Sequence, residues 1–137
     1  MVGCNKAAEE VPAAELTDEQ YITILMDISM RNTDGFQQIT ALSEEFGKAG
    51  WEAKMNIELE KIKTASLEYL GLQNIPEKYS KAHEHITEAM LYYILAVDSY
   101  PVKSADQSVE SFNAAADYIT KGTASIIKAT EELDKIN

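Results

Sequence analysis

The sequence predicts an all-α domain: an antiparallel up-down-up-down four-helix bundle with a flexible N-terminal tether. Three observations point there. Apolar residues recur in alternating steps of four and three along four separate segments, the spacing that lays a stripe down one side of a helix. Capping patterns or a proline stand where segments begin, and glycine or proline where they end. Only six glycines and three prolines occur in 137 residues, with hydrophobic residues at 45% and charged ones at 26%, a globular balance that leaves room for long helices. Residues 1–16 read as a lipoprotein-like N-terminus and tether and residues 17–137 as the bundle domain; a chain this short holds one core rather than two.

The first helix starts at Thr17, where Thr17-Asp18-Glu19-Gln20 places a hydroxyl at the cap and an amide side chain three residues on. Its seam reads Tyr21, Leu25, Ile28, Asn32, Gly35, Ile39, Leu42 and Phe46, and the segment from Gly47 to Gly50 ends it. Asn32-Thr33-Asp34-Gly35 resembles a turn, but the seam keeps its register across it, so a continuous helix is expected. The second helix runs from Trp51 to Leu70, with Met55, Leu59, Ile62 and Tyr69 on its apolar side, and stops at Gly71. It is the shortest element, so an end of the bundle is expected to be less covered and to offer a groove.

The third helix is expected from Pro76 to Tyr100, with Pro76 at the first helical position. The fourth begins at Ser104, in a second capping box with Gln107, and runs nearly to Asn137. Large and small residues alternate along both: Tyr79, Ala82, Ile86, Ala89, Tyr93, Ala96 and Tyr100 on one, Phe112, Ala115, Ile119, Gly122, Ile126, Ala129 and Leu133 on the other. Folding the chain about Pro101-Val102-Lys103 pairs Tyr93 with Phe112, Ile86 with Ile119 and Tyr79 with Ile126, leaving the small layers between them for close backbone approach. Packing accounts for Gly122 inside a helix, where glycine costs about 1 kcal/mol against alanine.

Met1-Val2-Gly3-Cys4-Asn5 resembles the end of a prokaryotic lipoprotein signal, in which small residues precede a cysteine that takes a lipid on its sulfur. Cys4 is the candidate lipidation site, and the polar stretch from Asn5 to Glu15 follows as a tether. The expected address is extracytoplasmic, anchored to a prokaryotic membrane at the cell surface or in the periplasm, with the lipid on Cys4 as the membrane contact.

A formal net charge of -11 and a pI near 4.5 exclude nucleic acid as a partner, because phosphates would be repelled over most of the surface. Cys4 is the single cysteine, so it closes no internal disulfide. His83 and His85 lie two apart on a helix, roughly 200° around it, and cannot share one ion. Neither follows a glutamate by three residues, as the carboxylate-bridged di-metal bundles require. Glu84 and Glu88 read as a solvated face, His85 as exposed, and the seven tyrosines as occupants of core edges where their hydroxyls find water. No phosphate loop, calcium loop or nucleophile arrangement occurs. Catalytic, metal and cofactor residues are therefore expected to be absent. The competing expectation is a haem- or metal-binding bundle using His83 at the seam, with Met90 or Met55 as its second ligand.

From Trp51 onward, the tryptophan opening a helix, then Pro76, Tyr79 and His83, Ala89, Tyr93 and Ala96, and the closing Ala115, Ile119, Gly122, Ile126, Ala129-Thr130 and Leu133 resemble the helical domain of small uncharacterised prokaryotic lipoproteins. The matching positions are packing positions and bring no activity with them. Cys4, the tether and a core without catalytic groups lead to the expectation of a non-enzymatic, membrane-tethered helical module that binds another protein or a small ligand.

Overall fold

The structure, a computed structural model, describes residues 14–100 and 109–136. Cys4, most of the tether, the Pro101-Lys103 link and the Ser104–Gln107 capping box lie outside the described residues. Four helices form the domain: α1 (Asp18–Leu42), α2 (Trp51–Leu70), α3 (Ser80–Ser99) and α4 (Val109–Ile136). Among the described residues there is no strand, and no helix is long and apolar enough to cross a membrane. Consecutive helices pack antiparallel, α3 against α4 most extensively, then α1 against α2, then α2 against α3, as in an up-down-up-down bundle.

Helix α1 opens on the expected reciprocal cap: Thr17 Oγ1 accepts from the Gln20 N–H at 3.1 Å, and Gln20 Oε1 accepts from the Thr17 N–H at 2.9 Å. It runs unbroken through Asn32 to Gly35, and its buried residues are the first seven seam positions from Tyr21 to Leu42. The eighth differs. The α-helix stops at Leu42 and tightens into a turn over Ser43–Glu45. Phe46 then takes an extended ψ of 131°, so its side chain leaves the seam, is 52% exposed, and lies edge-on to Trp51 at 4.9 Å. Gly47 and Gly50 supply the left-handed backbone of the reversal. The Trp51 indole then donates to Leu42 O at 2.8 Å, fastening the start of α2 to the end of α1.

Helix α2 has the bounds expected of it. The third helix starts later than the sequence suggests. Pro76 has an extended ψ of 133° and stands before a short turn, Glu77–Tyr79, in which the Tyr79 N–H donates to Pro76 O at 2.9 Å. The α-helical repeat begins only at Ser80.

Both helical hairpins close through a glycine inside a helix. A methyl on Gly35 would lie 2.5 Å from Ile62 Cγ1 of α2, and one on Gly122 would lie 2.5 Å from the Tyr93 ring and 3.3 Å from the Ala89 carbonyl of α3. The small seam residues Ala82, Ala89, Ala96, Ala115, Gly122 and Ala129 are all buried, as expected. The register between α3 and α4 is displaced from the expected one by about a heptad: Phe112 meets Tyr100, at 5.6 Å between ring centres, instead of Tyr93. Tyr93 occupies the space above Gly122. The closest backbone approach sets this pairing, because only one register brings Gly122 over Ala89 and leaves room for the Tyr93 ring.

Surface ion pairs tie neighbouring elements: Arg31 with Glu68 between α1 and α2, Lys63 with Asp98 at 2.9 Å between α2 and α3, and Lys78 with Asp18 at the start of α1. Exposed pairs of this kind each contribute about 0–1 kcal/mol. Among the described residues none links α1 to α4.

Candidate functional site

The core holds a chain of three polar groups. Tyr21 and Tyr69 are both fully buried seam residues, from α1 and α2, and their hydroxyl oxygens are 2.6 Å apart. Tyr69 Oη also lies 2.6 Å from His83 Nδ1 on α3. A hydroxyl has one proton to give, so the satisfied arrangement has Tyr21 donating to Tyr69 and Tyr69 donating to a neutral His83, whose proton is then on Nε2. Burial holds the His83 pKa below its ordinary value, with Glu84 acting weakly in the other direction. Burial likewise raises both tyrosines, Tyr69 far above the usual phenol range. Every member is thus neutral near pH 7, and the chain is a structural clasp across three helices.

This differs from the expectation that tyrosines occupy wet core edges. Tyr21 and Tyr69 are fully buried, near the end of the bundle where α1 begins and α2 ends, and each satisfies the other. The signal was present in the sequence as two seam tyrosines on adjacent helices. His83 is a partly buried, hydrogen-bonded residue, and His85 is half-buried rather than exposed.

The residues considered for a cofactor do not converge. Met90 lies two turns from His83, about 10 Å along the helix, and its sulfur accepts from Asn32 Nδ2 at 3.3 Å. Met55 lies about 20 Å along α2 from Tyr69, the residue that contacts His83. A shared His–Met ion therefore does not fit this geometry. Among the described residues no three His, Cys, Asp or Glu side chains gather as a metal site. Glu84 and Glu88 are exposed, and Glu88 accepts from the buried Ser125 hydroxyl at 2.7 Å. Asn32, 4% exposed, leaves its Oδ1 without a protein partner. Its contact to Met90 joins α1 to α3, a polar tie that holds register.

The second feature is on the surface. Helices α1 and α4 face one another across a groove of about 330 Å³, lined by Phe36, Ile39 and Thr40 on one side and Phe112, Asn113 and Ala116 on the other. It lies toward one end of the bundle, between the last turns of α1, Tyr100 at the end of α3 and the first turns of α4. Beside it, Tyr93 of α3 lies edge-on to Phe36 at 4.8 Å and is hydrogen-bonded to Thr123.

Between Ile22 and Thr40 on α1 and between Asn113 and Thr130 on α4, the positions on this side carry no charge, and Asp18, Glu131 and Asp134 continue the same spacing beyond one end. On α1 the positions are Ile22, Met26, Ser29, Thr33, Phe36 and Thr40; on α4 they are Asn113, Ala116, Thr120, Thr123, Ile127 and Thr130. In a chain with 26% charged residues, twelve surface-side positions without one form a distinct face. Thr40, Thr120 and Thr130 each donate their hydroxyl to the carbonyl four residues back, at 3.0 Å, which turns their methyl groups outward. Met26 and Ile127 are 58% and 57% exposed, with Met30 beside them on α1. The result is an uncharged strip of apolar and hydroxyl side chains in an otherwise acidic surface.

Comparison with known protein families, with curated proteins and with solved structures finds no match.

Proposed function

We propose that this chain is a non-enzymatic binding module, of the kind found in small prokaryotic lipoproteins, held on the outer side of a membrane by a lipid on Cys4 and acting through its α1/α4 face. The observation that carries the binding half is the uncharged strip along α1 and α4, beside a groove of about 330 Å³. Supporting it, Tyr21, Tyr69 and His83 are engaged with one another in the clasp, and the resolved shifts leave them neutral. The anchoring half is supported by the order of Cys4, polar stretch and folded domain in the sequence.

Two measurements in the native host test the two halves. Mass spectrometry of the protein expressed from its full gene is expected to find Cys4 carrying a lipid; an unmodified Cys4 removes the anchor. A photo-crosslinking residue at Thr40, inside the groove, is expected to give adducts that the same residue at Leu91, on the far side of α3, does not. Equal labelling at both positions, or none at either, removes the face as a binding surface.

A further inference from the structure

We infer that the occupant of the α1/α4 face is a second copy of this chain, paired about a two-fold axis that crosses the face through Thr33 and Thr120. The inference rests on the reading of this face as a binding surface and names its partner.

Charge gives the first reason. Two copies of net charge -11 repel over most orientations, and a basic partner would find carboxylates only beyond one end of the strip, at Asp18, Glu131 and Asp134. A second copy meets here with no charge on either side, so this is the face on which self-association costs least.

Shape gives the second. The strip has a projecting end and a hollow end. The exposed Met26 and Ile127 stand at one end; the groove with Thr40 and Asn113 in its lining is at the other. Antiparallel α1 and α4 bring Thr40 level with Asn113, and equal helical rises then bring Thr33 level with Thr120, and Met26 level with Ile127. Thr33 is midway between Met26 and Thr40, and Thr120 midway between Ile127 and Asn113, each step about 10 Å. Rotation by a half-turn about the line through Thr33 and Thr120 therefore carries the Met26 and Ile127 side chains of one copy onto the groove of the other, twice. Such self-complementarity is the requirement of an isologous interface.

Size gives the third. Two neighbouring helices, with the strip running about 30 Å along them, present roughly 600 Å² per copy. The pair buries roughly 1,200 Å², at the lower edge of what specific stable interfaces need. The half-turn sets α1 antiparallel to its mate, with the two Thr17 ends at opposite ends of the pair. A doubly anchored dimer would lie with its helices along the membrane surface.

Sedimentation velocity of the purified chain in a Cys4→Ser background, from micromolar to near-millimolar concentration, is the test. A monomer–dimer equilibrium is expected. Met26→Glu combined with Ile127→Glu should weaken it by at least about tenfold, since each buries an unpaired charge; Leu91→Glu on α3 should leave it unchanged. Both positions are exposed, so circular dichroism should show the double variant folded. Thr33→Cys and Thr120→Cys should each form a disulfide with their own counterpart on oxidation, while Leu91→Cys should not. A chain that stays monomeric, a dimer indifferent to the double variant, or one in which neither axial cysteine crosslinks, overturns the pairing. A monomer that is still captured at Thr40 by a different protein in the native host overturns it too, while leaving the binding face itself in place.

Discussion

Helix α4 has two sides with different fates. Toward α3 it turns Ala115, Gly122, Ser125 and Ala129, all buried, and its backbone comes close enough that a methyl on Gly122 would strike Tyr93. Toward α1 it turns Ala116, which lines the groove, and Thr120 and Thr123 farther along, all exposed. The two sides are built from equally small residues, so side-chain size alone does not make a close interface. On the α3 side the small residues face partners that fill the space above them, the Tyr93 ring foremost. On the α1 side the neighbouring helix stands off, and small side chains leave a hollow.

The largest test of that contrast is Gly122→Leu, expected to destabilise the fold by about 3 kcal/mol, because the new side chain must displace the Tyr93 ring and press on the Ala89 carbonyl. Urea unfolding midpoints measure it, and a variant as stable as the parent would mean the α3/α4 approach is looser than described. Ala115→Leu, fully buried on the same side, should lose about 1–3 kcal/mol by overpacking.

Next in size is the clasp that closes the interior away from the groove. Tyr69→Phe removes the central hydroxyl and leaves Tyr21 Oη without its partner in a dry site, at a cost of about 2 kcal/mol; Tyr21→Phe, which keeps the Tyr69–His83 bond, should cost about 1 kcal/mol. Equal losses for the two would argue against the donor order assigned above.

A smaller effect should appear with pH. The folded His83 pKa lies below the ordinary 6.5 because burial disfavours the imidazolium, so below 6.5 the unfolded chain binds more protons than the folded one. The stability from a neutral His83 is complete above that value and declines as pH falls through it toward the folded pKa. Unfolding midpoints measured from about pH 7.5 down to about pH 5 should fall less steeply in His83→Gln than in the parent. Parallel curves would show that His83 does not titrate in the folded state as its burial requires.

The smallest effect is expected one residue from one of the largest. Ala116→Leu adds volume over the open groove and should change the stability of the monomer by no more than about 0.5 kcal/mol. A loss as large as that of Ala115→Leu would mean that α1 and α4 are in close contact.

Much of the fold was legible in the residues. The steps of four and three placed seven seam residues of α1 in the core and carried the helix through Asn32 to Gly35, since a turn would have reset the period. Trp51 and Leu70 mark the ends of α2, because glycines stand outside both. Less was legible where a side chain sits at the end of a periodic run: Phe46 keeps the spacing but follows the last helical turn, so it lies over Trp51 instead of in the seam. Met90 and Ser125 are buried beside the seams rather than on them, where periodicity gives no warning. The uncharged strip could have been read from the charge pattern of α1 and α4. Its groove could not.

By itself the sequence determined four amphipathic segments, the cap of the first and the inward side of each, because these depend on contacts within a few residues along the chain. It also determined the acidic balance and the order of Cys4, polar stretch and domain. The tertiary structure alone decided the one-heptad placement of α3 on α4, the meeting of Tyr21, Tyr69 and His83, and the gap between α1 and α4. A heptad pattern fits equally well when slid by seven residues, and only the closest backbone contact, here at Gly122, selects one of those positions.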